Sequence, residues 1–171
     1  MKRVIVIGCP GSGKSVFSAV LSQKTGLPLC HLDMLYWNPD RTTVSREVFD
    51  DRLNSVIESD QWIIDGNYSK LFYERRMEEA DQIILLLFNR FSCLFRAFRR
   101  YLQYKNQTRP DMAEGCNEKF DFAFMKWILW EGRTKDAKKR YQWILAQYSN
   151  KAVLIKNQKQ LTAFIRSLGA K

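Results

Sequence analysis

The chain has 171 residues, about the length of one ordinary domain, and 46% of them are apolar, which excludes a disordered protein. The net charge of +10 favours anionic ligands, a class that includes nucleotides, phosphorylated metabolites and nucleic acid. No apolar run approaches the ~18 residues of a membrane span, and the first predicted strand begins too early to leave room for a signal peptide. We therefore expect a cytoplasmic protein without membrane contact.

The cysteines indicate neither a metal site nor a disulfide framework. None has the C-x-x-C spacing of a zinc ligand pair, and the chain has a single histidine. We expect free thiols in or near the core. The four cysteines are Cys9, Cys30, Cys93 and Cys116.

The strongest motif is a glycine-rich segment near the N-terminus. Residues 8–15 match the P-loop pattern G-x-x-x-x-G-K-[ST] at every fixed position. The apolar run at residues 4–7 predicts a buried parallel strand before this loop. After the loop, Val16, Phe17, Val20 and Leu21 predict one apolar face of a helix. A strand, a glycine-rich loop and a helix in this order are the context that the motif requires.

The residue types in this loop suit phosphate binding. Glycines let the backbone approach a ligand closely, the loop amides form an anion cradle, and the helix adds its positive N-terminal end. Lys14 can reach the β- and γ-phosphates, and the Ser15 hydroxyl can bind Mg²⁺. The predicted phosphate contacts are Gly8, Pro10, Gly11, Ser12, Gly13, Lys14, Ser15 and Val16.

The rest of the chain alternates between strand and helix patterns. Further strands are predicted at 29–32, 61–64, 83–88 and 152–155, and helices at 45–59, 69–79, from 91, from 118, at 131–148 and after 157. This alternation implies one α/β domain over 1–171, with the P-loop NTPase fold of a five-stranded parallel sheet flanked by helices. The polar segment 105–116 predicts a loop within a lid region of about 90–135.

Two aspartates follow predicted strands, at the sheet edge where α/β proteins bind ligands. Asp65 closes the third strand, where, next to a P-loop, an aspartate positions Mg²⁺ directly or through water; a lone D-G pair would indicate only a turn. Asp33 ends the second strand and can meet an acceptor hydroxyl or a metal-bound water, or else cap a turn. His31 is more typical of a packed strand residue than of a catalytic base.

Three further residues near these strands allow two interpretations each. Tyr36 and Trp37 can stack on a base or fill the core. Arg46, at the start of the helix 45–59, can reach an acceptor phosphate or remain a solvated charge.

A basic stretch follows the fourth strand. Residues 82–110 contain no acid, whereas arginines recur, and Arg96, Arg99 and Arg100 share one side of a predicted helix. With no acid to neutralise these side chains, a phosphate partner is favoured over solvent. The predicted packing side of the helix consists of Leu94, Phe95, Phe98, Tyr101 and Leu102.

This layout resembles the adenylate kinase-like branch of small P-loop kinases and, more closely, the FlaR-type topology modulation proteins within it. The resemblance covers nearly the whole chain, and the name of the FlaR-type family reflects an inferred effect on DNA topology rather than a reaction. The segment 109–116 is long and unusual enough to be specific. The stretches that carry the resemblance are 8–15, 31–37, 62–69, 93–96 with Arg99 and Arg100, and 109–116.

The resemblance implies ATP and Mg²⁺ as cofactors and transfer of the γ-phosphoryl group to a nucleotide or another small molecule. The implied catalytic residues are Lys14, Asp33, Arg96, Arg100 and Arg133, whose arginines neutralise the transferring phosphoryl group. Arg99 and Asn157 are implied contacts of ATP, and Ser15 and Asp65 are implied ligands of Mg²⁺. The implied acceptor contacts are Asp33, Tyr36, Arg46, Asp65, Gly66 and Tyr68.

One departure and one alternative accompany this prediction. Adenylate kinases follow the D-G pair with an aromatic residue, a proline and an arginine that holds the acceptor phosphate, whereas this chain has Asn67, Tyr68 and Ser69, which argues against AMP. The alternative is a P-loop ATPase or nucleotide-gated protein that acts on nucleic acid, which the net charge supports. Against it, the basic residues concentrate in the predicted lid, and no separate nucleic-acid module is visible. The sequence leaves the oligomeric state open.

Overall fold

The computed structural model describes residues 1–40, 42–68, 73–105, 107, 111–112 and 118–168. The strands are β1 Arg3–Gly8, β2 Leu29–His31, β3 Trp62–Asp65, β4 Gln82–Leu86 and β5 Ala152–Ile155. The helices are α1 Lys14–Thr25, α2 Leu32–Tyr36, α3 Arg46–Ile57, α4 Tyr73–Glu79, α5 Arg90–Gln103, α6 Phe122–Leu129, α7 Lys135–Gln147 and α8 Gln158–Ser167, with a 3₁₀ turn at Glu131–Arg133.

The five strands form one parallel sheet, as the sequence predicts, and their order in it is β2-β3-β1-β4-β5. The central strand β1 is fully buried from Val4 to Ile7, because parallel sheets carry helices on both faces. Strands β2 and β3 lie on one side of β1, and the later strands β4 and β5 lie on the other side. The carboxyl end of β1 is therefore the topological switch point at which open α/β sheets bind ligands, and the P-loop lies there.

Helices cover both faces of the sheet and create two cores. On one face α1, α5, α6 and α8 bury Phe17, Leu21, Cys93, Ala97, Ile128 and Leu161. On the other face α3, α4 and α7 bury Phe49, Leu53, Ile57, Met77 and Ile144. Among the described cysteines, Cys9, Cys30 and Cys93 are free thiols in or near these cores, as expected, and Cys116 lies outside the described residues.

Two predicted helix faces are wrong in detail. In α1 the buried side consists of Phe17, Ser18 and Leu21, whereas Val16 is 67% exposed. The buried face of the helix is therefore shifted by one residue toward the C-terminus relative to the face that the apolar pattern predicts. In α5 the small residues Cys93 and Ala97 face the core. A helix packs closely through small residues, so the larger side chains turn outward, and Phe95, Phe98 and Leu102 are exposed.

Several boundaries also differ from the prediction. Strand β2 ends at His31, so that Asp33 lies in the short helix α2 rather than directly at a strand end. Helix α6 begins at Phe122, where the side chain of Asp121 caps the amide of Phe124. Residues 69–72 and most of the predicted loop 105–116, including the motif 109–116 apart from 111–112, lie outside the described residues. In the part of the chain that is described, none of the helices has the length and apolar character needed to cross a membrane.

Candidate functional site: a phosphate loop and the ends of two neighbouring strands

The P-loop backbone forms a cradle of amide groups between β1 and α1. Gly8 has φ +152°, and a Cβ atom there would lie 2.2 Å from the carbonyl oxygen of Leu86, so only glycine fits. Gly13 caps the N-terminus of α1 with φ +88°. Within the described residues, no acceptor binds the backbone amides of Gly13, Lys14, Ser15 and Val16. Orphan amides at a helix start fit the phosphates of a nucleotide.

The side chain of Lys14 folds across this cradle. Its Nζ atom lies 3.4 Å from the carbonyl oxygen of Gly8 and 3.2 Å from that of Cys9, and carries its positive charge over the loop. Pro10 and Gly11 continue the loop between these contacts and Ser12, whose buried hydroxyl has no partner among the described residues.

One carboxylate oxygen of Asp65 is hydrogen-bonded, and the other has no hydrogen-bond partner among the described residues. Its side chain is 5% exposed, and its Oδ2 atom lies 2.8 Å from Nδ1 of His31 on the neighbouring strand β2. Its Oδ1 atom is buried without a hydrogen-bond partner in the described part of the chain. A free carboxylate oxygen at the carboxyl end of β3, together with the Ser15 hydroxyl, suits the oxygen chemistry of Mg²⁺. The described residues contain no cluster of three or more His, Cys, Asp or Glu, so an ion here would also need ligand phosphates.

The contact between His31 and Asp65 makes stability depend on pH. Burial alone would lower the pKa of His31, but the hydrogen bond and charge of Asp65, with smaller effects of Asp111 and Asp33, raise that pKa above its ordinary value of 6.5. A raised histidine pKa contributes stability below about pH 6.5, and this contribution is lost as the pH rises through the folded-state value.

We therefore expect the free energy of unfolding of the wild type to fall more between pH 6 and pH 8.5 than that of His31→Gln. Urea denaturation at several pH values would measure both slopes. Identical slopes for the two proteins would contradict the ion pair.

The loop after β3 is tied to the P-loop by Asn67. Its Oδ1 atom accepts from the amide of Gly8 at 3.0 Å, and its Nδ2 atom donates to the carbonyl oxygen of Gly8 at 2.9 Å. One side chain thereby connects the end of β1 with the loop that follows Asp65 and contains Gly66. Sequence reasoning used Asn67 only as a departure from the adenylate kinase pattern and did not find this role.

Arg76 of α4 binds the same loop, and sequence reasoning did not identify this role either. It is fully buried, and its guanidinium donates to the carbonyl oxygens of Gly66, Asn67 and Tyr68 at 3.5, 3.1 and 3.0 Å. Burial lowers its pKa to about 10, which leaves it charged at neutral pH. No sequence signal identifies Arg76, because it lies in a polar helix where an arginine usually faces solvent.

Several of the implied acceptor residues contact one another. The Tyr68 hydroxyl donates to Asp33 Oδ1 at 2.5 Å, and the Tyr68 ring stacks on Phe49 with ring centroids 5.5 Å apart. Tyr36 packs edge-on against both rings, which is the core-filling alternative for this residue. Arg46 lies apart from this cluster, 73% exposed and 3.4 Å from Asp50.

Arg96 reaches the P-loop from α5. Its Nη1 atom donates to the carbonyl oxygen of Ser12 at 2.7 Å, and its Nη2 atom donates to Oε1 of Gln158 at 2.7 Å. Its guanidinium lies 4.0 Å from the centroid of the Phe88 ring. Asn157 caps α8 through the amide of Gln160 at 2.9 Å, so the P-loop, α5 and the start of α8 come together here.

The other three arginines have different partners. Arg100 binds Glu118 through its Nε and Nη2 atoms at 2.9 and 2.8 Å. The expectation that no acid neutralises the basic stretch is therefore wrong for Arg100, because Glu118 approaches from beyond the acid-free segment. Arg99 is exposed, over the ring of Phe95. Arg133 donates to the carbonyl oxygen of Ile128 at 2.9 Å and to Sγ of Cys93 at 3.1 Å.

Comparison with known proteins gives a likeness of fold. A scan against known protein families found no match, and neither did a search of curated proteins. Among solved structures, shikimate kinase from Bacteroides thetaiotaomicron matches with a TM-score of 0.55 and 17% identity, over 98% of this chain and 95% of that chain. Shikimate kinase from Acinetobacter baumannii in complex with shikimate matches with a TM-score of 0.57 and 12% identity, over 98% of this chain and 90% of that chain. The chain therefore has a P-loop NTPase fold similar to that of the shikimate kinases.

Proposed function

We propose that this protein is a small P-loop kinase that transfers the γ-phosphoryl group of Mg-ATP to a hydroxyl group of a small molecule. The observation that carries the proposal is the group of unbound amides at residues 13–16, with Lys14 folded across the loop and Asp65 at the end of the strand that pairs with β1. The fold likeness to the shikimate kinases supports it. The narrower resemblance to the FlaR-type proteins stays a prediction.

The reaction needs positioning and charge stabilisation more than covalent chemistry. The acceptor hydroxyl oxygen bonds to the γ-phosphorus, the bond from this phosphorus to the β–γ bridging oxygen breaks, ADP leaves, and the hydroxyl proton passes to water. Lys14 and the cradle amides would bind the phosphates. Ser15 and Asp65 would hold Mg²⁺, which supplies positive charge against the phosphates when bound.

The region around Arg96 is the proposed nucleotide edge of the site. The contacts of Arg96 with Ser12 and Gln158 connect the P-loop to the turn at Asn157, where the resemblance expects the adenine. We therefore propose Arg96 as the arginine of the basic stretch that contacts ATP. Arg99 and Arg100 are proposed to act only after the lid region of about 90–135 rearranges, because Arg99 lies over Phe95 and Arg100 is bound to Glu118. Arg133 is proposed to act from its present position, because its partner Cys93 packs against Gly11 of the P-loop.

The test of this function is ADP release from Mg-ATP, with and without nucleoside monophosphates, nucleosides and small hydroxy acids such as shikimate. We expect release to be slow alone and to rise at least 10-fold with one class of acceptor. Release that no acceptor changes, and that DNA or RNA stimulates, would contradict the kinase and favour the nucleic-acid alternative. Binding of that nucleic acid should then fall steeply with salt concentration.

A further inference from the structure

A cavity of about 320 Å³ lies beside the P-loop. Its lining includes Pro10 of the P-loop, Asn67 of the loop after β3, Tyr73 of α4, and Arg140 and Tyr141 of α7. The cavity is at the small end of the range for ligand sites, which suits a metabolite rather than a polymer. It includes none of the mutually contacting residues Asp33, Tyr36 and Tyr68.

Among the described residues, no acid neutralises the positive charge of Arg140 on the cavity wall. Arg140 is half-buried and makes no hydrogen bond or ion pair within the described ranges. The acid on the described wall is Glu131, which is already bound to Lys126 at 2.8 Å. Arg76 lies 5.5 Å from the Tyr73 ring centroid and, within the described ranges, donates its hydrogen bonds to backbone carbonyls. An unpaired, partly desolvated guanidinium attracts a carboxylate or phosphate.

The hydroxyls of Tyr73 and Tyr141, which also line the cavity, are uncharged hydrogen-bond donors near Arg140. Burial raises the pKa values of Tyr73 and Tyr141, although the charge of Arg140 opposes the rise at both. Both hydroxyls therefore stay protonated at neutral pH and can donate to an anion. Trp127 contributes a large apolar surface to the same wall, against which a ring or apolar body can pack.

We propose that this cavity binds the phosphoryl acceptor, and that the acceptor is a small hydroxyl compound whose own carboxylate or phosphate is held by Arg140 and the hydroxyls of Tyr73 and Tyr141. This inference rests on the proposed function. Pro10 lies on the cavity wall and in the P-loop, so an acceptor here adjoins the loop that binds the donor phosphates.

Direct binding tests the site separately from catalysis. Calorimetry in the presence of Mg-ADP would compare nucleoside 5′-monophosphates, hydroxy acids such as shikimate, and the uncharged nucleosides. We expect one charged class to bind the wild type, with a dissociation constant at least 10-fold higher for Arg140→Met and unchanged for Lys139→Met, which removes the same charge from an exposed position on α7. The class that binds distinguishes a phosphate-bearing from a carboxylate-bearing acceptor.

A second variant keeps the test valid if Arg140→Met does not fold. Tyr141→Phe keeps the ring that packs against the core and removes only the hydroxyl, so we expect a several-fold rise in the dissociation constant. Two outcomes would overturn the site even if phosphoryl transfer occurs. One is equal affinity of the wild type, Tyr141→Phe and Arg140→Met for the ligand, and the other is no binding by either charged class. Arg140-dependent binding without any transfer would support the site and overturn the kinase.

Discussion

Replacement of Lys14 by methionine should lower acceptor-stimulated ADP release at least 100-fold, equivalent to about 2.7 kcal/mol of transition-state stabilisation. The reason is the position of its Nζ atom over the P-loop, where it meets only two backbone carbonyls at 3.2 and 3.4 Å. These contacts contribute little to folding, so the free energy of unfolding should change by less than about 0.5 kcal/mol. Steady-state kinetics and urea denaturation of the same preparation measure both quantities.

Lys24→Met is the matched control for this prediction. Lys24 lies in the last turn of the same helix and is exposed, so its replacement removes the same charge far from the phosphate cradle. We expect wild-type turnover from this variant. Full turnover in a well-folded Lys14→Met protein would refute the assignment of residues 8–15 as a phosphate-binding loop.

Replacement of Arg76 by methionine should lower the free energy of unfolding by about 2–4 kcal/mol. Three carbonyl groups would lose their donor, and methionine provides none. Relief of the buried charge offsets part of this cost, which is why the expected loss is smaller than the sum for three unsatisfied groups. Turnover should fall as well, because the same loop contains Asn67 and directly follows Asp65.

The neighbouring residue provides the control for Arg76. The side chain of Arg75 is 38% exposed, binds Glu79 at 2.8 Å and donates to Oδ1 of Asn54, so Arg75→Met loses surface contacts worth about 1 kcal/mol. Urea denaturation would compare the two variants, and ADP release would compare their turnover. An Arg76→Met protein as stable and as active as Arg75→Met would show that the loop does not depend on the buried guanidinium.

The sheet and the P-loop could be predicted from the sequence because their signals are local. A run of β-branched residues such as Val4 to Ile7 is compatible with few structures other than a strand buried on both faces of a sheet. The spacing of Gly8, Gly13 and Lys14 follows from backbone geometry that few other residues allow. The position of Asp65 at the end of β3 follows from the strand pattern alone. Residues that act through such backbone constraints can therefore be identified from a short segment of the sequence.

The partners of the polar side chains were decided only by the tertiary structure. His31 meets Asp65, Arg100 meets Glu118, and Arg76 meets the loop after β3, each across a distance in sequence that no local pattern encodes. The outward side of α5 was decided in the same way, since burial of Cys93 and Ala97 depends on what the helix packs against. The sequence by itself determined a parallel α/β sheet with a phosphate loop, because hydrophobic periodicity and glycine geometry are local. The tertiary structure decided which charges are neutralised, and it left Arg140 beside a cavity with no partner in the described part of the chain, because pairing depends on which elements fold together.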